Sequence, residues 1–421
     1  MGRGNATDTR APKTRIKAGT LKAAIEDVID IVESRNTIPI LCFVLLRVQK
    51  QRITLTATDL DCWAVRDCAS DDRDGPGSND WLARIRDFAV ALPAKALKDL
   101  LAEFDGDAMV TIEAPADIDA KWSGRITIKA GRASFKLQAL PVADFPDVAG
   151  VEVEFGFELP CSALADSLAG VKHAISTEET RYYLNGVYLH PVDLEVRFAA
   201  TDGHRLARWT LDGPDGAASF PPVIVARKTV GIVDKLLASA IKAADRDGSP
   251  PEVLIEADGA GRLLRFAMRA SDGGEVELIA KTIDGQFPDY TRVIPVEAPH
   301  RAILDKAILA EAVKRVAVLV SDKSRCVKAI FSENMLTLMG VSAELGEATE
   351  EVPCEYLGPD LTFGLDSKYW RQALAAIASD KIAMAFVGAY DAENVRPVRV
   401  AGWSDNAETP TLLQVLMPVR V

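Results

Sequence analysis

Hydrophobic residues recur at helical spacing in six stretches of the chain. In the first stretch, Leu21, Ile25, Val28 and Val32 are three or four residues apart, which places them on one face of an α-helix. The same spacing predicts helices at residues 19–35, 93–105, 161–177, 227–246, 304–325 and 366–381. The residues opposite the apolar stripes are mostly polar, so we expect amphipathic helices that each bury one face.

Short apolar or alternating segments between these helices are typical of β-strands. The clearest of them are Ile40–Val48, Ile53–Val65, Arg132–Leu137, Gly186–His190, Val196–Trp209, Val327–Phe331 and Leu336–Val341. Along the chain, the order helix, strands, helix, strands occurs three times. This order predicts an α+β fold of three similar domains in series, each with two helices on one side of antiparallel strands.

Two tripeptides repeat at nearly the same distance. Ala57-Thr58-Asp59 returns as Ala200-Thr201-Asp202, 143 residues later, and Phe145-Pro146-Asp147 returns as Phe287-Pro288-Asp289, 142 residues later. Matching offsets at both ends of a segment indicate two copies of one domain, and the rest of the chain has the element order of a third, diverged copy. We therefore expect a polar tail at residues 1–13 and domains at residues 14–150, 151–297 and 298–421.

The composition of the 421-residue chain, 48% hydrophobic and 26% charged, is that of a folded globular protein. Its formal charge of -12 argues against a generally basic surface that coats itself with nucleic acid. The six predicted helices nevertheless carry 18 Lys and Arg against 15 Asp and Glu, so the net charge does not exclude a local basic lining on the helices.

The sequence also predicts a cytoplasmic protein without a membrane segment. The longest nearly apolar run, Ile38–Leu46, is about half of a membrane-spanning helix and contains Pro39. The polar beginning of the chain lacks the apolar stretch of a secretory signal. The six cysteines include no CxxC pair, which favours reduced thiols and no zinc site.

No familiar catalytic signature occurs, whether a phosphate-binding GxxxxGK[ST] loop, a GxSxG elbow or a zinc-binding HExxH helix. The best cluster for an enzyme combines Asp59, Asp61, Asp202 and His204, which could hold a metal in a nucleic-acid hydrolase if the repeat copies faced one another. The alternative interpretation gives the aspartates a turn-forming role and makes His204 a hydrogen-bonding residue. We expect no catalytic residues, no metal and no cofactor.

Longer motifs carry a resemblance to a known family. The segments Arg181-Tyr182-Tyr183-Leu184-Asn185-Gly186 and Ala200–Ala207 closely resemble the central domain of the bacterial sliding clamps, the DNA polymerase III beta subunits. Phe287–Tyr290 with Arg292–Pro295 is similar to the segment that closes this domain, and Met417–Val421 is similar to the family's C-terminal tail. These matches follow the family's order from about residue 14 to the end.

The resemblance implies a DNA polymerase processivity factor. Two chains would join head to tail into a ring with helices inside and sheets outside, and this ring would slide on duplex DNA without reading its sequence. The implied partners are the DNA polymerase III alpha subunit and other polymerases or repair proteins, bound through linear motifs, and the clamp loader ATPase. A clamp-like paralogue that binds partner peptides without encircling DNA stays open as an alternative, and the implied location is the cytoplasm at the nucleoid.

Three sets of site residues follow from the resemblance. A partner-peptide groove would be lined by Leu184, Thr201, Gly203, His204, Arg205, Leu206, Pro288, Arg292, Val293, Tyr369, Val415, Met417, Pro418, Val419 and Arg420. DNA would be contacted by Arg35, Arg181, Tyr182, Arg227 and Lys228, and the dimer interface would join Phe135 and Leu137 to Val318 and Leu319. The chain departs from the family in an Asp/Gly-rich insertion at residues 70–80, in Glu178-Glu179 before Arg181, and in Thr291, where many members have a basic residue.

Overall fold

A computed structural model describes residues 11–33, 37–49, 52–69, 87–147, 150, 152–247, 250–270, 272–320, 325–387, 396–403 and 411–419. These residues form six α-helices: α1 Ala18–Val28, α2 Ala94–Ala102, α3 Cys161–Val171, α4 Arg227–Asp247, α5 Lys306–Val316 and α6 Ser367–Ala375. Each lies within or close to one of the predicted helical stretches, which confirms the helical pattern. None of the helices in the described ranges is long and apolar enough to cross a membrane.

The chain folds as two compact units, one of residues 1–164 with 231–281 and one of residues 165–230 with 282–421. Every strand pairing in the described ranges is antiparallel, which confirms an α+β fold. The predicted tail and the 70–80 insertion fall almost entirely outside the described residues, although Lys13 already belongs to the first strand.

In the described residues, the first unit contains two sheets. A four-stranded sheet in the order β1-β6-β7-β8 is formed by β1 Lys13–Lys17, β6 Met109–Glu113, β7 Gly124–Ala130 and β8 Ala133–Ala139. An eight-stranded sheet in the order β5-β2-β3-β4-β16-β15-β14-β9 is formed by β2 Phe43–Gln49, β3 Arg52–Thr58, β4 Cys62–Ala69, β5 Phe88–Pro93, β9 Val153–Pro160, β14 Glu252–Asp258, β15 Leu263–Arg269 and β16 Glu275–Lys281.

Pairing of β4 with β16 makes the strands of the predicted first and second domains continuous in this sheet. Helix α1 packs on β4 and on α2 and buries the predicted stripe of Leu21, Ile25 and Val28 completely. Beneath α1, the guanidinium of Arg66 is fully buried and donates to the Asp27 carboxylate at 2.8 Å and to Asp272. The hydrogen-bonded charges compensate one another in this interior.

The second unit contains one twelve-stranded sheet in the order β13-β10-β11-β12-β24-β23-β22-β17-β20-β19-β18-β21. Its strands are β10 Gly186–Val192, β11 Glu195–Thr201, β12 Arg205–Asp212, β13 Val223–Ala226, β17 His300–Asp305, β18 Cys326–Ser332, β19 Met335–Ser342, β20 Gly346–Glu355, β21 Leu361–Asp366, β22 Lys381–Phe386, β23 Val398–Trp403 and β24 Leu412–Leu416. Helices α5 and α6 cover one face of it around the buried Trp370, Phe331 and Phe386.

Two predicted strands were wrong in length, because Ile53–Val65 and Val196–Trp209 are each a hairpin of two strands. The repeated tripeptide forms the turn in both copies. In the second copy, the Asp202 carboxylate accepts hydrogen bonds from the amides of His204 and Arg205, at 2.9 and 3.0 Å. In the first copy, Asp59 accepts in the same way from the amides of Asp61 and Cys62, at 3.0 and 2.7 Å. The repeat is therefore a repeat of turn chemistry.

Several helices end before the predicted residue, and α5 shows the physical reason. The Asp305 side chain caps its first turn by accepting from the Ile308 amide at 2.9 Å, and the helix ends at Val316. The apolar pattern continues because a 3-10 turn, Ala317–Leu319, follows directly and Val320 is buried beyond it. Hydrophobic spacing records burial, and burial extends past the last helical hydrogen bond.

Candidate peptide-binding groove and charged surfaces

The turn between β11 and β12 positions the first predicted groove residues. The Thr201 hydroxyl donates to the Arg205 carbonyl at 2.6 Å, and the Gly203 amide donates back to this hydroxyl at 3.2 Å. Gly203 has a φ of 87°, in the left-handed region that glycine adopts without strain. A Cβ atom at this position would lie 2.7 Å from Nη1 of Arg181, the end of an exposed side chain that can move, so the positive φ is the reason for glycine here.

Arg205 is the most highly connected residue of the candidate groove. Only 7% of it is exposed, and its Nε donates to the Asp202 carboxylate at 3.0 Å. Nη1 donates to the Gln372 side chain at 2.6 Å, and Nη2 donates to the His173 carbonyl. The guanidinium also lies 4.3 Å from the centre of the Tyr369 ring. Because these partners come from three elements, the side chain has one fixed orientation.

His173, whose carbonyl accepts from Arg205, contributes no second positive charge near neutral pH. Burial lowers the pKa of His173 to about 4, and the positive charge of Arg205 lowers it further in the same direction. The imidazole is therefore neutral where the protein is expected to work. Of these two side chains, only that of Arg205 is positively charged.

A buried apolar cluster lies on the sheet beside Arg205. Leu206 on β12 is paired in register with Val415 on β24, and both pack with Leu184. The cluster also contains Phe287, from the second copy of the repeated Phe-Pro-Asp tripeptide, and Tyr290, which follows that tripeptide. The sequence thus brings three predicted groove residues together, as a buried floor beneath the exposed side chains around it.

The C-terminal segment runs along the same turn. The Met417 amide donates to the His204 carbonyl at 2.9 Å, and the His204 ring is 6.3 Å from the Tyr369 ring in a stacked arrangement. Pro418 is buried, whereas 39% of Val419 is exposed. Val419 exchanges two backbone hydrogen bonds with Gly364 on β21, at 2.9 and 3.2 Å. Arg420, the last predicted groove residue, lies outside the described residues.

The remaining groove candidates lie on the exposed segment after Phe287. Pro288 and Arg292 are exposed, and 45% of Val293 is exposed. Asp289 holds the turn, since its carboxylate accepts from the Thr291 hydroxyl at 2.5 Å and from Arg292 Nε at 3.0 Å. These bonds, with that of Thr291 the largest influence, lower the pKa of Asp289. Thr291, a departure from the family pattern, therefore has a local structural role.

Sequence reasoning missed three partners that orient Arg205. They are Asp202, Gln372 and His173. The sequence predicts a turn former or a metal ligand at Asp202, and its spacing of three residues to Arg205 is a signal that also fits an ion pair. Gln372 on α6 and the His173 carbonyl are distant in sequence, and no local pattern in the sequence points to them.

Four of the predicted DNA contacts lie around one segment of the second unit. Arg181 is paired with Glu178, with Nη2 to Oε2 at 2.8 Å, and 53% of Tyr182 is exposed. Arg227 begins α4, where its amide donates to the Asn185 carbonyl at 3.0 Å, and the exposed Lys228 follows. Arg35 lies outside the described residues.

Other cations that could line a DNA channel are partly neutralised by acidic neighbours. Lys235 Nζ is 2.7 Å from the Asp30 carboxylate. Lys314 is 3.5 Å from Glu311, and Arg315 Nε donates to Glu350 at 3.1 Å. These ion pairs are exposed and weak, so a phosphate can compete for the same cations.

The predicted dimer residues are apolar and at least partly accessible in each unit. Phe135 and Leu137 lie on β8, the edge strand of the four-stranded sheet, and the Phe135 ring contacts Phe104 at a centroid distance of 5.7 Å. In the other unit, Val318 and Leu319 belong to the 3-10 turn after α5, and 69% of Val318 is exposed.

The metal-site alternative has another explanation in the structure. Asp59 and Asp202 use their carboxylates to hold equivalent turns, and Asp61 is paired with Lys281 at 3.1 Å. In the ranges that the structure describes, no group of three or more His, Cys, Asp or Glu is arranged to hold a metal ion.

Comparison with known proteins places the chain in a family. Three family models match consecutive segments: the N-terminal domain of the DNA polymerase III beta subunit at residues 13–149, its central domain at 158–289 and its C-terminal domain at 291–420. The beta sliding clamp of Caulobacter vibrioides is 34% identical over 417 residues, covering 97% of this chain and 100% of that protein. The Escherichia coli K12 beta sliding clamp is 27% identical over 409 residues, covering 97% of this chain and 100% of that protein.

Solved structures agree with the sequence matches. The crystal structure of a sliding clamp, DNA polymerase III subunit beta, from Bartonella birtlesii bound to griselimycin has a TM-score of 0.84 at 30% identity, covering 98% of this chain and 100% of that one. The DNA polymerase sliding clamp from Caulobacter crescentus has a TM-score of 0.82 at 32% identity, covering 97% and 100%.

The chain therefore belongs to the DNA polymerase III beta subunit family. It consists of three tandem clamp domains of helices and antiparallel sheets, as the repeats predicted. It is a sliding clamp of DNA replication, a non-catalytic processivity factor. Its partner is DNA polymerase, and it assembles as a homodimer. The hydrolase alternative is thereby wrong.

Proposed function

We propose that two copies of this chain form a ring that encircles duplex DNA, slides along it in the cytoplasm at the nucleoid, and tethers partners through a groove in the second unit. The partners are the DNA polymerase III alpha subunit and other polymerases or repair proteins that carry short linear motifs. A clamp loader ATPase opens and places the ring. Domain boundaries near Gly150 and Glu297 belong to the same proposal.

One observation carries the groove: the orientation of Arg205 beside the Leu184, Leu206 and Val415 floor. A bound linear motif gains most of its affinity from a few buried apolar anchors and from donors that are already fixed. Arg205 has little rotamer entropy left to lose, since Asp202, Gln372 and Tyr369 hold it in place. The exposed Val293 and Val419 supply further apolar surface at the edges of the floor.

The groove is tested with a fluorescent peptide that contains the clamp-binding segment of the alpha subunit from the same cell. Deletion of Met417–Val421 removes the segment that is hydrogen-bonded to the His204 carbonyl, so peptide binding should be lost while the dimer persists. Exposed Arg269, on β15 of the first unit and outside the proposed groove, gives the control Arg269→Ala, which should bind normally. Unchanged peptide affinity after the deletion would refute the groove.

Ring closure is supported by complementary strand edges in the two units. In the described part of β20, residues 346–353 pair with β19 alone, so their other edge is open, and β8 is the edge of its own sheet. β20 exposes Glu347 and Glu351, whereas β8 exposes Lys136. Opposite charges and open edges favour pairing of β8 from one chain with β20 from another. The contact is head to tail, and three similar domains per chain allow it to close after two chains.

DNA contact inside the ring needs only weak, sequence-independent phosphate binding, since a closed ring is retained by topology. Arg227 and Lys228 at the start of α4 oppose the helix dipole, which gives phosphate binding a physical motive there. Changing Arg35, Arg227 and Lys228 together to Ala should reduce the salt dependence of loading and leave peptide binding intact. An unchanged salt slope would show that these are ordinary solvated charges.

The clamp-like paralogue remains a second candidate, because the Arg181–Glu178 ion pair neutralises one predicted DNA contact. A paralogue of this kind would bind the partner peptide and would not be retained on nicked circular DNA after treatment with the clamp loader. Glu178→Gln separates the two functions further, since releasing Arg181 should strengthen DNA contact only in a protein that encircles DNA.

A further inference from the structure

A pocket of about 430 Å³ in the second unit is lined by basic side chains outside the proposed groove. His300, Arg301 and Arg399 contribute the positive and hydrogen-bonding groups, and Leu357 contributes apolar surface. Its lining residues include neither Asp nor Glu. In a chain with a net charge of -12, such a site is suited to an anionic ligand.

The strand register explains why the pocket exists. Arg301 on β17 is paired with Ala385 on β22, and Ala385 is paired with Arg399 on β23. Directly paired residues project from the same face of a sheet, so the two arginines flank the small alanine. Their Cα atoms are about 10 Å apart, which is two strand spacings. The missing side-chain volume at Ala385 leaves the space between them.

Both guanidinium groups are oriented and keep unused donors. Arg301 lies 4.1 Å from the centre of the Trp403 ring, and Arg399 Nη1 donates to the Pro295 carbonyl at 3.5 Å. Among the described residues, neither arginine forms an ion pair with a carboxylate, in contrast to Arg205 and Arg315. A guanidinium has five N–H donors, so each can still bind a carboxylate with two parallel hydrogen bonds.

The apolar rim indicates a peptide rather than a free ion. Leu357, in the pocket wall, is 82% exposed, and Val296, close in sequence to the pocket, is 90% exposed. An exposed apolar side chain in the wall of a charged pocket adds contact area for a bound peptide, whereas a free inorganic anion gains nothing from it. A segment with an acidic residue next to an apolar one would match both the charges and the rim.

The pocket also adjoins the proposed groove. Arg399 on β23 is paired with Val415 on β24, and Val415 is paired with Leu206 on β12. One strand spacing, about 5 Å, therefore separates the pocket arginine from the apolar floor. We propose that this pocket binds an acidic side chain of the same partner segment that occupies the groove, an inference that rests on the proposed peptide-binding function.

The test uses the alpha-subunit peptide extended at either end by two Glu or, as the neutral match, two Gln, with Gly spacers of one to four residues. For at least one spacer and end, the Glu peptide should bind the full-length dimer about threefold to tenfold more tightly than its Gln match at low salt. Arg301→Gln combined with Arg399→Gln should remove this difference and leave the affinity for the Gln peptide unchanged. Arg269→Gln, an exposed arginine of the first unit, should preserve the difference.

Equal affinity of the Glu and Gln peptides for the wild type at every spacer would overturn the acidic subsite, as would a preference that survives in the double variant. A second measurement separates this result from failure of the groove. Acetyl-hexaglutamate alone should shift the NMR signals of the Nε–H groups of Arg301 and Arg399 in a saturable way. If these signals shift although the unextended peptide does not bind, the groove is wrong and the pocket is kept, whereas unshifted signals would reject the pocket.

Discussion

Replacing Asp202 with Ala tests how the groove is built, because the chain carries its own control in Asp59. Both carboxylates accept two backbone amide hydrogen bonds in equivalent turns. Only Asp202 also accepts from Nε of Arg205, at 3.0 Å, and this arginine is 7% exposed. Comparing Asp202→Ala with Asp59→Ala therefore controls for the turn hydrogen bonds that the two aspartates share.

The magnitudes follow from these contacts. Loss of the turn hydrogen bonds should cost about 1–2 kcal/mol in either variant. Asp202→Ala also leaves a buried guanidinium without its carboxylate, so its total cost should be about 3–5 kcal/mol. Gln372 and Tyr369 would hold Arg205 less firmly, and affinity for the alpha-subunit peptide should fall at least about tenfold, which corresponds to about 1.4 kcal/mol.

Hydrogen exchange followed by mass spectrometry is the suitable stability assay, because it reports each hairpin separately in a chain of several domains. Fluorescence anisotropy gives the peptide affinity. We expect faster exchange at both mutated hairpins, larger at β11–β12, and weaker peptide binding only in Asp202→Ala. Equal destabilisation by the two substitutions, or normal peptide affinity in Asp202→Ala, would refute the role given to Arg205.

Three further predictions concern stability and assembly. Arg66→Ala should destabilise the first unit by about 3–5 kcal/mol in hydrogen exchange, since Asp27 and Asp272 would lose their buried partner, and an effect below about 1 kcal/mol would show that the cluster is not needed. Burial lowers the pKa of His190 from 6.5 to about 4, so its neutral form stabilises the fold above pH 6.5, and this stabilisation is lost as the pH falls towards 4. His190→Gln should make the free energy of unfolding less dependent on pH in this range. The same pH profile in the variant and the wild type would contradict this prediction. Leu319→Asp should give monomers in analytical ultracentrifugation with normal peptide binding, and an intact dimer would reject this interface.

The helices and the repeat could be predicted from sequence because both depend on local chemistry. Leu21, Ile25 and Val28 mark the buried face of α1, and the repeated Thr-Asp pair forms the same kind of turn twice. The environment of Arg205 could not be predicted in this way, because Gln372 reaches it from 167 residues away in sequence. The basic pocket was missed for a similar reason, since it depends on the register of three strands.

Copy one also explains why the groove is expected only once. At the positions equivalent to Gly203 and Arg205 it has Leu60 and Cys62, so its turn has the same hydrogen bonds but no guanidinium. Leu60 adopts a left-handed φ of 78° there, whereas glycine, Gly203, occupies the equivalent left-handed position in the second copy. Both copies thus have the turn, whereas the arginine of the proposed groove occurs in the second copy.

The central claim is that the protein acts by encircling DNA, and retention on nicked circular DNA tests it most directly. The full-length protein is loaded with the clamp loader and ATP, separated from free protein by gel filtration in high salt, and measured before and after the circle is cut once. Because a ring is held by topology and not by tight contacts, it should remain on the circle and slide off after linearisation. Equal retention on circular and linear DNA, or no retention on either, would contradict the account.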